Sequence, residues 1–201
     1  MNNRTLGRRA AFEALRRLAA TAMLIALYVV LNRFVSISLP GLKIGFSVVC
    51  PMLAAMLYGP LTGAAVYAAG DLISALLFPF GPYHPGFTAT AALMGLIWGI
   101  FCHPQPFGLY ENPRFDFSDG KSRVKAILLT LVPALLNCLL LGLLVNTEWV
   151  AQLWGSRTYF GWLLYRLPEY AVMIPVNVLL ASVCLPLAET LKKSGFVRRI
   201  R

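Results

Sequence analysis

The 201-residue sequence has few charged side chains and very few acidic ones. Charged residues make up 13% of the chain, with 8 Asp and Glu against 18 Lys and Arg. Hydrophobic residues make up 58%, which is above the roughly half that is typical of soluble domains. This composition argues against an ordinary soluble domain and favours an integral membrane protein built of helices.

The sequence also lacks the residue clusters on which catalysis and metal binding depend. It has 2 His, no HExxH motif, no GxSG motif and no Gly-rich phosphate loop ending in Lys. No group of carboxylates is spaced to hold a metal, and the 4 cysteines form no CxxC pair. We therefore predict no enzyme activity, no cofactor and no metal, and we expect the cysteines to act as small apolar side chains.

Six apolar stretches are long enough, or nearly long enough, to cross a hydrocarbon core of about 30 Å. They predict an all-α protein with six transmembrane helices in one membrane domain, residues 1–201, and no soluble domain. No small-residue cleavage site follows the first stretch, so we interpret it as a retained helix. The predicted spans are residues 10–34, 45–58, 61–77, 87–102, 124–145 and 165–191.

The positive charges lie mostly on one side of this six-helix arrangement. All but four of the Lys and Arg fall in the N-terminus, in the loop after the fourth span, or in the C-terminus. The positive-inside rule then places both termini in the cytoplasm of a multi-pass protein of the cell membrane. The net charge of +10 thus reflects topology and attraction to anionic lipid, and we expect no nucleic-acid binding. The four exceptions are Arg33, Lys43, Arg157 and Arg166.

Three of these outer cations suit an anionic small molecule. Arg33 and Lys43 flank a short connection, and Arg166 lies near the start of the last span. An Arg guanidinium offers two parallel hydrogen bonds to a carboxylate. The alternative for each is a side chain extended to the lipid interface, which is favoured for Arg157 in its polar loop. For Arg166 a further alternative is an ion pair with Glu169, three residues along the same helix.

Small residues recur at a spacing of four on two spans. Ala91, Gly95 and Gly99 do so on the fourth span, where we predict close packing between helices of the bundle. Ala22 and Ala26 do so on the first span, where they leave a smooth strip along which another protein could slide. Internal packing is the alternative for the first span.

A proline-rich turn changes directly into an apolar run in the stretch GPYHPGFTATAALMGLIWG, residues 81–99. With LNRFVSISLPGLKIGFS before it, and with YGP, GD, FPFGPYHPGFT and GLIWG in this order, the sequence resembles the folate-family substrate-binding (S) subunits of energy-coupling factor (ECF) vitamin transporters. The resemblance is strong over residues 15–101 and weak over the last two spans. The acidic segment 111–119, ENPRFDFSD, matches nothing in it, and we interpret that segment as a solvated cytoplasmic loop.

The resemblance implies a subunit that captures folate, or a related anionic heterocycle, at its outer face for ATP-driven uptake. Its implied partners are a membrane coupling subunit, which would dock on Ala22 and Ala26, and two cytoplasmic ATPase subunits, which would hydrolyse the ATP. One alternative is an S subunit for another vitamin or a nucleobase precursor. Another is a solitary small carrier or channel.

The same resemblance implies a gate formed by the loop 78–85. Phe87 would stack on the vitamin, and the Thr88 hydroxyl would bond to it. The cations would meet a glutamate tail, and Glu169 or Asn177 would bind the edge of a pterin. We interpret Asp71 as a structural cap for backbone N–H groups of a neighbouring loop. The expected substrate-binding residues are Arg33, Lys43, Tyr83, Phe87, Thr88, Arg166, Glu169 and Asn177.

Overall fold

The structure, a computed structural model, describes residues 3–39, 42–79, 81–103 and 120–194. Over these residues the chain forms helices and one β-hairpin, and the predicted loop 111–119 lies outside them. The helices are α1 (Asn3–Phe34), α2 (Val49–Tyr58), α3 (Pro60–Leu77), α4 (Pro85–Cys102), α5 (Gly120–Leu135), α6 (Asn146–Trp154) and α7 (Tyr159–Lys193). The hairpin strands are β1 (Ser36–Leu39) and β2 (Leu42–Gly45), and a π-helical segment (Leu136–Val145) joins α5 to α6.

Five helical stretches among the described residues are long and apolar enough to cross a membrane. They correspond to the first, third, fourth, fifth and sixth predicted spans. The stretch that matches the fifth predicted span extends past the predicted end at 145, because the π-helical segment continues into α6. Their bounds are Ala11–Phe34, Pro60–Leu77, Pro85–Cys102, Ile127–Trp154 and Tyr159–Lys193.

The predicted second span, residues 45–58, is mostly the short helix α2. With 10 residues, α2 is about 15 Å long, or half of a hydrocarbon core. The first residue of the predicted span, Gly45, ends the hairpin, which the all-α prediction missed. In the hairpin Ile37 pairs with Ile44 and Ser38 with Lys43 in an antiparallel register. The alternating Ser and Ile of β1 are the signal for a strand here.

The break between α2 and α3 reverses the chain at Gly59. Gly59 has φ +97°, a conformation that residues with a Cβ rarely adopt. Pro60 then begins α3, at a position where a missing N–H leaves no hydrogen bond unmade. The Tyr58 carbonyl at the end of α2 accepts a 3.0 Å hydrogen bond from Arg17 of α1.

The other end of α2 lies beside the other end of α1. The Ser47 hydroxyl, two residues before α2, donates to Asn32 Oδ1 at 3.3 Å. Because Tyr58 contacts Arg17 and Ser47 contacts Asn32, α2 runs antiparallel to α1 along this part of its length.

Helices α3 and α4 approach closely where both carry small residues. A Cβ added to Gly95 would lie 2.5 Å from the Gly63 carbonyl oxygen, and one added to Gly63 would lie 2.9 Å from the Gly95 carbonyl oxygen. Ala91, Gly95 and Gly99 are all buried in α4. The prediction that the small residues of the fourth span pack inside the bundle is confirmed.

The main hydrophobic core lies between α2, α4 and α7. Met52, Met56 and Trp98 are fully buried there, and Ala181 and Cys184 of α7 pack against them. Trp98 also lines the pocket described next, so this core forms part of the pocket wall.

Candidate ligand-binding site

A pocket of about 330 Å³ lies between the hairpin, the loop after α3 and the facing helices. Its volume is within the range of roughly 300–1,000 Å³ that is usual for small-molecule sites. Some of the lining is exposed, including Arg33, and some is buried, including Asn137 and Asn177. Of the eight predicted substrate-binding residues, the lining contains Arg33, Lys43, Tyr83, Phe87, Arg166, Glu169 and Asn177.

Thr88, the remaining predicted residue, is bonded to two residues that line the pocket. Its hydroxyl donates to Asp71 Oδ2 at 2.7 Å and lies 2.8 Å from the Tyr83 hydroxyl. Because Thr88 donates to Asp71, its oxygen is free to accept from Tyr83. The interpretation of Asp71 as a cap for backbone N–H groups is wrong, since its partner is the Thr88 side chain. Asp71 lines the pocket and holds Tyr83 through Thr88.

The loop predicted to be a gate contributes several residues to the exposed part of the lining. They include Pro79, Gly81 and Pro82, as well as Tyr83. The loop ends at His84, which caps α4 because its Nδ1 accepts the Gly86 N–H at 3.0 Å. The His84 ring also stacks on Trp149 of α6, with 4.7 Å between ring centroids. These contacts fix the end of the loop against α4 and α6.

Arg33 and Lys43 are the cations in the lining that have no carboxylate partner within the described part of the chain. Arg33 is exposed at the end of α1, and its guanidinium carbon lies 5.9 Å from the centroid of the Phe78 ring. Lys43 is half-buried in β2. Burial lowers the pKa of Lys43 below its usual value; Asp71 opposes this shift and Arg33 adds to it. A carboxylate bound here would have two cations available to pair with it.

Arg166 and Glu169 also line the pocket, but their charged groups already have partners. Each residue is 5% exposed, and Arg166 Nε lies 3.3 Å from Glu169 Oε2. Arg166 also donates to the Thr147 hydroxyl at 3.1 Å and to the Tyr170 hydroxyl at 2.7 Å. The ion pair that the sequence analysis left as an alternative is therefore present.

Three asparagine side chains in the lining carry buried Oδ1 atoms with no hydrogen-bond partner among the described residues. They are Asn137, Asn146 and Asn177. Asn137 uses its Nδ2 to donate to the Met94 carbonyl at 3.3 Å, so its Oδ1 is the atom left over. A buried acceptor without a donor costs about 1–3 kcal/mol. A ligand with N–H groups would satisfy these acceptors.

The sequence analysis missed Asn137 and Asn146. Both lie in or next to the long apolar run of the fifth span, where an isolated amide is conspicuous. That isolation was the available signal. Asn177, by contrast, was named as part of what the family resemblance implies.

The bundle and its pocket define a ligand-binding protein made of membrane-type helices. Comparison with known families gives the class more narrowly, since the profile described as "ECF-type riboflavin transporter, S component" matches residues 13–152. The chain therefore belongs to the S components of ECF-type transporters, a family of transport subunits and not of enzymes. The family assignment made from the sequence is confirmed.

Similar proteins include two folate transporters. The chain is 31% identical to the folate transporter FolT of Clostridium novyi over 160 residues, which cover 79% of this chain and 81% of that protein. It is 35% identical to FolT of Leuconostoc mesenteroides over 85 residues, or 42% and 45% of the two chains. A crystal structure of FolT bound with folic acid is 29% identical, with a TM-score of 0.62 over 81% of this chain and 86% of that one.

Proposed function

We propose that the protein captures folate for ATP-driven uptake as the S subunit of an ECF-type importer. The observation that carries the proposal is the presence, in one pocket, of two cations and three amide oxygens that have no partner in the described part of the chain. Folic acid has groups that complement both. Its glutamate carries two carboxylates, and its pterin carries an amino group and a ring N–H. The similarity to FolT, including a structure with folic acid, supports the same ligand.

Riboflavin is the second candidate, because the matching family profile is described by that vitamin. Its flat ring offers an N–H donor to the asparagine oxygens, but riboflavin has no carboxylate. Arg33 and Lys43 would then have no anionic partner, and Lys43 would lose hydration without a compensating contact. The two cations therefore favour folate over riboflavin.

The structure's geometry suggests a role for each predicted residue. Arg33 and Lys43 bind the glutamate carboxylates, and Phe87 stacks on an aromatic ring of the ligand. Tyr83 covers the pocket, and Thr88 holds Tyr83 in place through its bond to Asp71. Asn177, with Asn137 and Asn146, accepts hydrogen bonds from the pterin. Arg166 and Glu169 act on the site indirectly, as argued below.

We further propose that the segment of residues 45–58, which contains α2, is the second crossing along the chain. Together with the five long stretches it gives one membrane domain with six crossings. The antiparallel course of α2 along α1, from Asn32 to Arg17, supports a chain that returns to the side of the N-terminus. Six crossings place both termini on the Lys- and Arg-rich side, which is the cytoplasm of a cell-membrane protein.

The coupling partners follow from membership of the ECF family. A membrane coupling subunit docks on α1 at Ala22 and Ala26, and two cytoplasmic ATPase subunits hydrolyse the ATP. Ala22 and Ala26 are exposed, as is Met23 between them, which is 64% exposed. An apolar face with small residues allows a second helix to approach closely within the bilayer.

The proposal is tested by titrating the full-length protein in detergent with folic acid and with riboflavin while tryptophan fluorescence is recorded. Trp98 and Trp154 line the pocket, so a bound chromophore quenches them. We expect saturable quenching by folic acid. The double variant Arg33→Gln/Lys43→Gln should bind folic acid at least about 100-fold more weakly, since hydrogen bonds to charged groups contribute about 1.5–3 kcal/mol each.

Arg157→Gln is the matched control for that variant. Arg157 is also an outer cation, but its guanidinium lies over the Trp162 and Tyr165 rings and outside the pocket lining. We expect its affinity for folic acid to equal that of the wild type. If the protein binds riboflavin saturably and does not bind folic acid, the pocket is assigned to riboflavin. If it binds neither ligand, the proposal is overturned.

A further inference from the structure

The Glu169 carboxylate joins two parts of the molecule that meet at the pocket. Its Oε2 lies 3.3 Å from Arg166 Nε on α7, and its Oε1 accepts the backbone N–H of Lys43 at 3.1 Å. Lys43 belongs to β2, 126 positions away in the chain. One buried carboxylate thus attaches β2, the strand that contains the proposed cation Lys43, to helix α7.

The Glu169 side chain is held in place by the contacts of its own partner. Arg166 bonds to Thr147 of α6 and to Tyr170 of α7, so its guanidinium is fixed on two helices. Its guanidinium carbon also lies 5.3 Å from the centroid of the Tyr170 ring. An Arg with these partners presents Nε to Glu169 in one geometry, and Glu169 in turn presents Oε1 to the hairpin.

The hairpin has a separate attachment on the opposite side. The Ser36 hydroxyl, at the start of β1, donates to the Asn32 carbonyl of α1 at 2.6 Å. Within the hairpin, Ser38 pairs with Lys43. The hairpin is therefore attached to α1 through β1 and to α7 through β2. Losing the α7 attachment would leave β2 held by its ladder with β1, while Lys43 would lose its fixed place over the pocket.

A buried ion pair adds little net stability, because desolvation of the two charges offsets their attraction. The pair at Arg166 and Glu169 therefore calls for another explanation, and the Lys43 contact supplies one. We propose that the Arg166–Glu169 pair positions the hairpin through the Lys43 backbone, so that the Lys43 ammonium meets an anionic tail of the ligand, and that neither Arg166 nor Glu169 contacts the ligand. This inference rests on the proposed function, which assigns the glutamate of folate to Lys43.

Two double variants separate positioning from direct contact. Arg166→Met/Glu169→Gln removes both charges but keeps a side-chain oxygen that accepts the Lys43 N–H. Arg166→Met/Glu169→Met removes the charges and the acceptor together. Because each replaces both partners of the pair, neither leaves an uncompensated buried charge. Each is titrated in the full-length protein with folic acid and with pteroic acid amide, which keeps the pterin and aminobenzoyl groups of folate but has no carboxylate.

We expect the Met/Gln variant to bind folic acid within about threefold of the wild type. The Met/Met variant should bind folic acid at least about tenfold more weakly, which corresponds to one lost contact of about 1.4 kcal/mol. Its affinity for pteroic acid amide should not change, since that ligand has no carboxylate for Lys43. A general loss of structure would weaken both ligands alike. Equal loss of folic acid binding in the two variants would mean that Arg166 or Glu169 contacts the ligand, and would overturn the inference.

A measurement without ligand keeps this test separate from the proposed function. Hydrogen–deuterium exchange of the hairpin reports directly on the Lys43 N–H bond to Glu169. Faster exchange of the hairpin in the Met/Met variant than in the Met/Gln variant is expected, and equal exchange would overturn the anchoring contact. If exchange differs as expected but wild type binds neither folic acid nor pteroic acid amide, the anchor stands, and it is the folate assignment that fails.

Discussion

Helices α1 and α4 carry the same sequence pattern of small residues four positions apart, but they use it differently. On α4, Ala91, Gly95 and Gly99 are buried, and the two glycines lie against the backbone of α3. On α1, Ala22 and Ala26 are exposed, and only 6% of the residues in an 18-residue apolar stretch of this helix are buried. A small-residue face therefore marks a place of close helix approach without stating whether the partner helix is in the same chain.

The difference lies in what each helix meets. Helix α4 lies next to α3, to which it is joined by a short loop, so that Gly63 and Gly95 come into backbone contact. Helix α1 packs on α2 and α3 around the buried Tyr28, which at about 3.6 residues per turn lies on another face than Ala22 and Ala26. This leaves its alanine face without an intramolecular partner among the described residues. On the proposed function, the partner is the coupling subunit.

The largest expected effect is on the buried face. Gly95→Leu would force side-chain atoms into the Gly63 backbone, which cannot move aside without separating α3 from α4. We expect a loss of more than about 3 kcal/mol of stability, and a melting temperature in detergent lower by about 10 °C or more. Ala26→Leu is the control, because it adds the same side chain to an exposed face and should leave the melting temperature unchanged. Similar melting temperatures for the two variants would contradict the contrast between these faces.

The next effect concerns transport and separates docking from binding. Ala22→Leu/Ala26→Leu should bind folic acid within about twofold of the wild type, because neither residue lines the pocket. Uptake of labelled folate by cells that also produce the coupling and ATPase subunits should fall at least about tenfold, since bulky side chains prevent close approach of a second helix. Undiminished uptake would show that the coupling subunit docks elsewhere.

The smallest effect is that of a single methyl group on each face. Gly95→Ala places a Cβ 2.5 Å from the Gly63 carbonyl oxygen and should destabilise the protein by about 1–3 kcal/mol. Ala26→Gly removes a Cβ from the exposed face and should cost about 0.5–1 kcal/mol through helix propensity alone. Thermal unfolding of the two variants in one detergent gives the comparison. A Gly95→Ala variant as stable as the wild type would mean that α3 and α4 separate without cost.

Much of the site was predictable, because residues of unusual polarity stand out in an apolar chain. Arg33 and Lys43 were selected on that ground, Asn177 was implied by the family resemblance, and all three line the pocket. The roles of the acids were not predictable in the same way. Asp71 bonds the Thr88 side chain, and Glu169 bonds the Lys43 backbone from 126 positions away. Contacts over such distances in the chain depend on how helices pack, and residue type and spacing do not encode that directly.

The sequence by itself determined that the chain is apolar, helical and asymmetric in charge, and it indicated the family through the motifs of residues 15–101. These properties follow from composition and local pattern, which hold whatever the helices pack against. The tertiary structure decided which small-residue face is buried and which cations lack a carboxylate partner among the described residues. It also decided that residues 36–39 pair with residues 42–45 and that the second of these strands is bonded to α7. The physical reason is that burial and pairing belong to surfaces brought together by the whole bundle, so a residue's role at the pocket depends on neighbours that are remote in the chain.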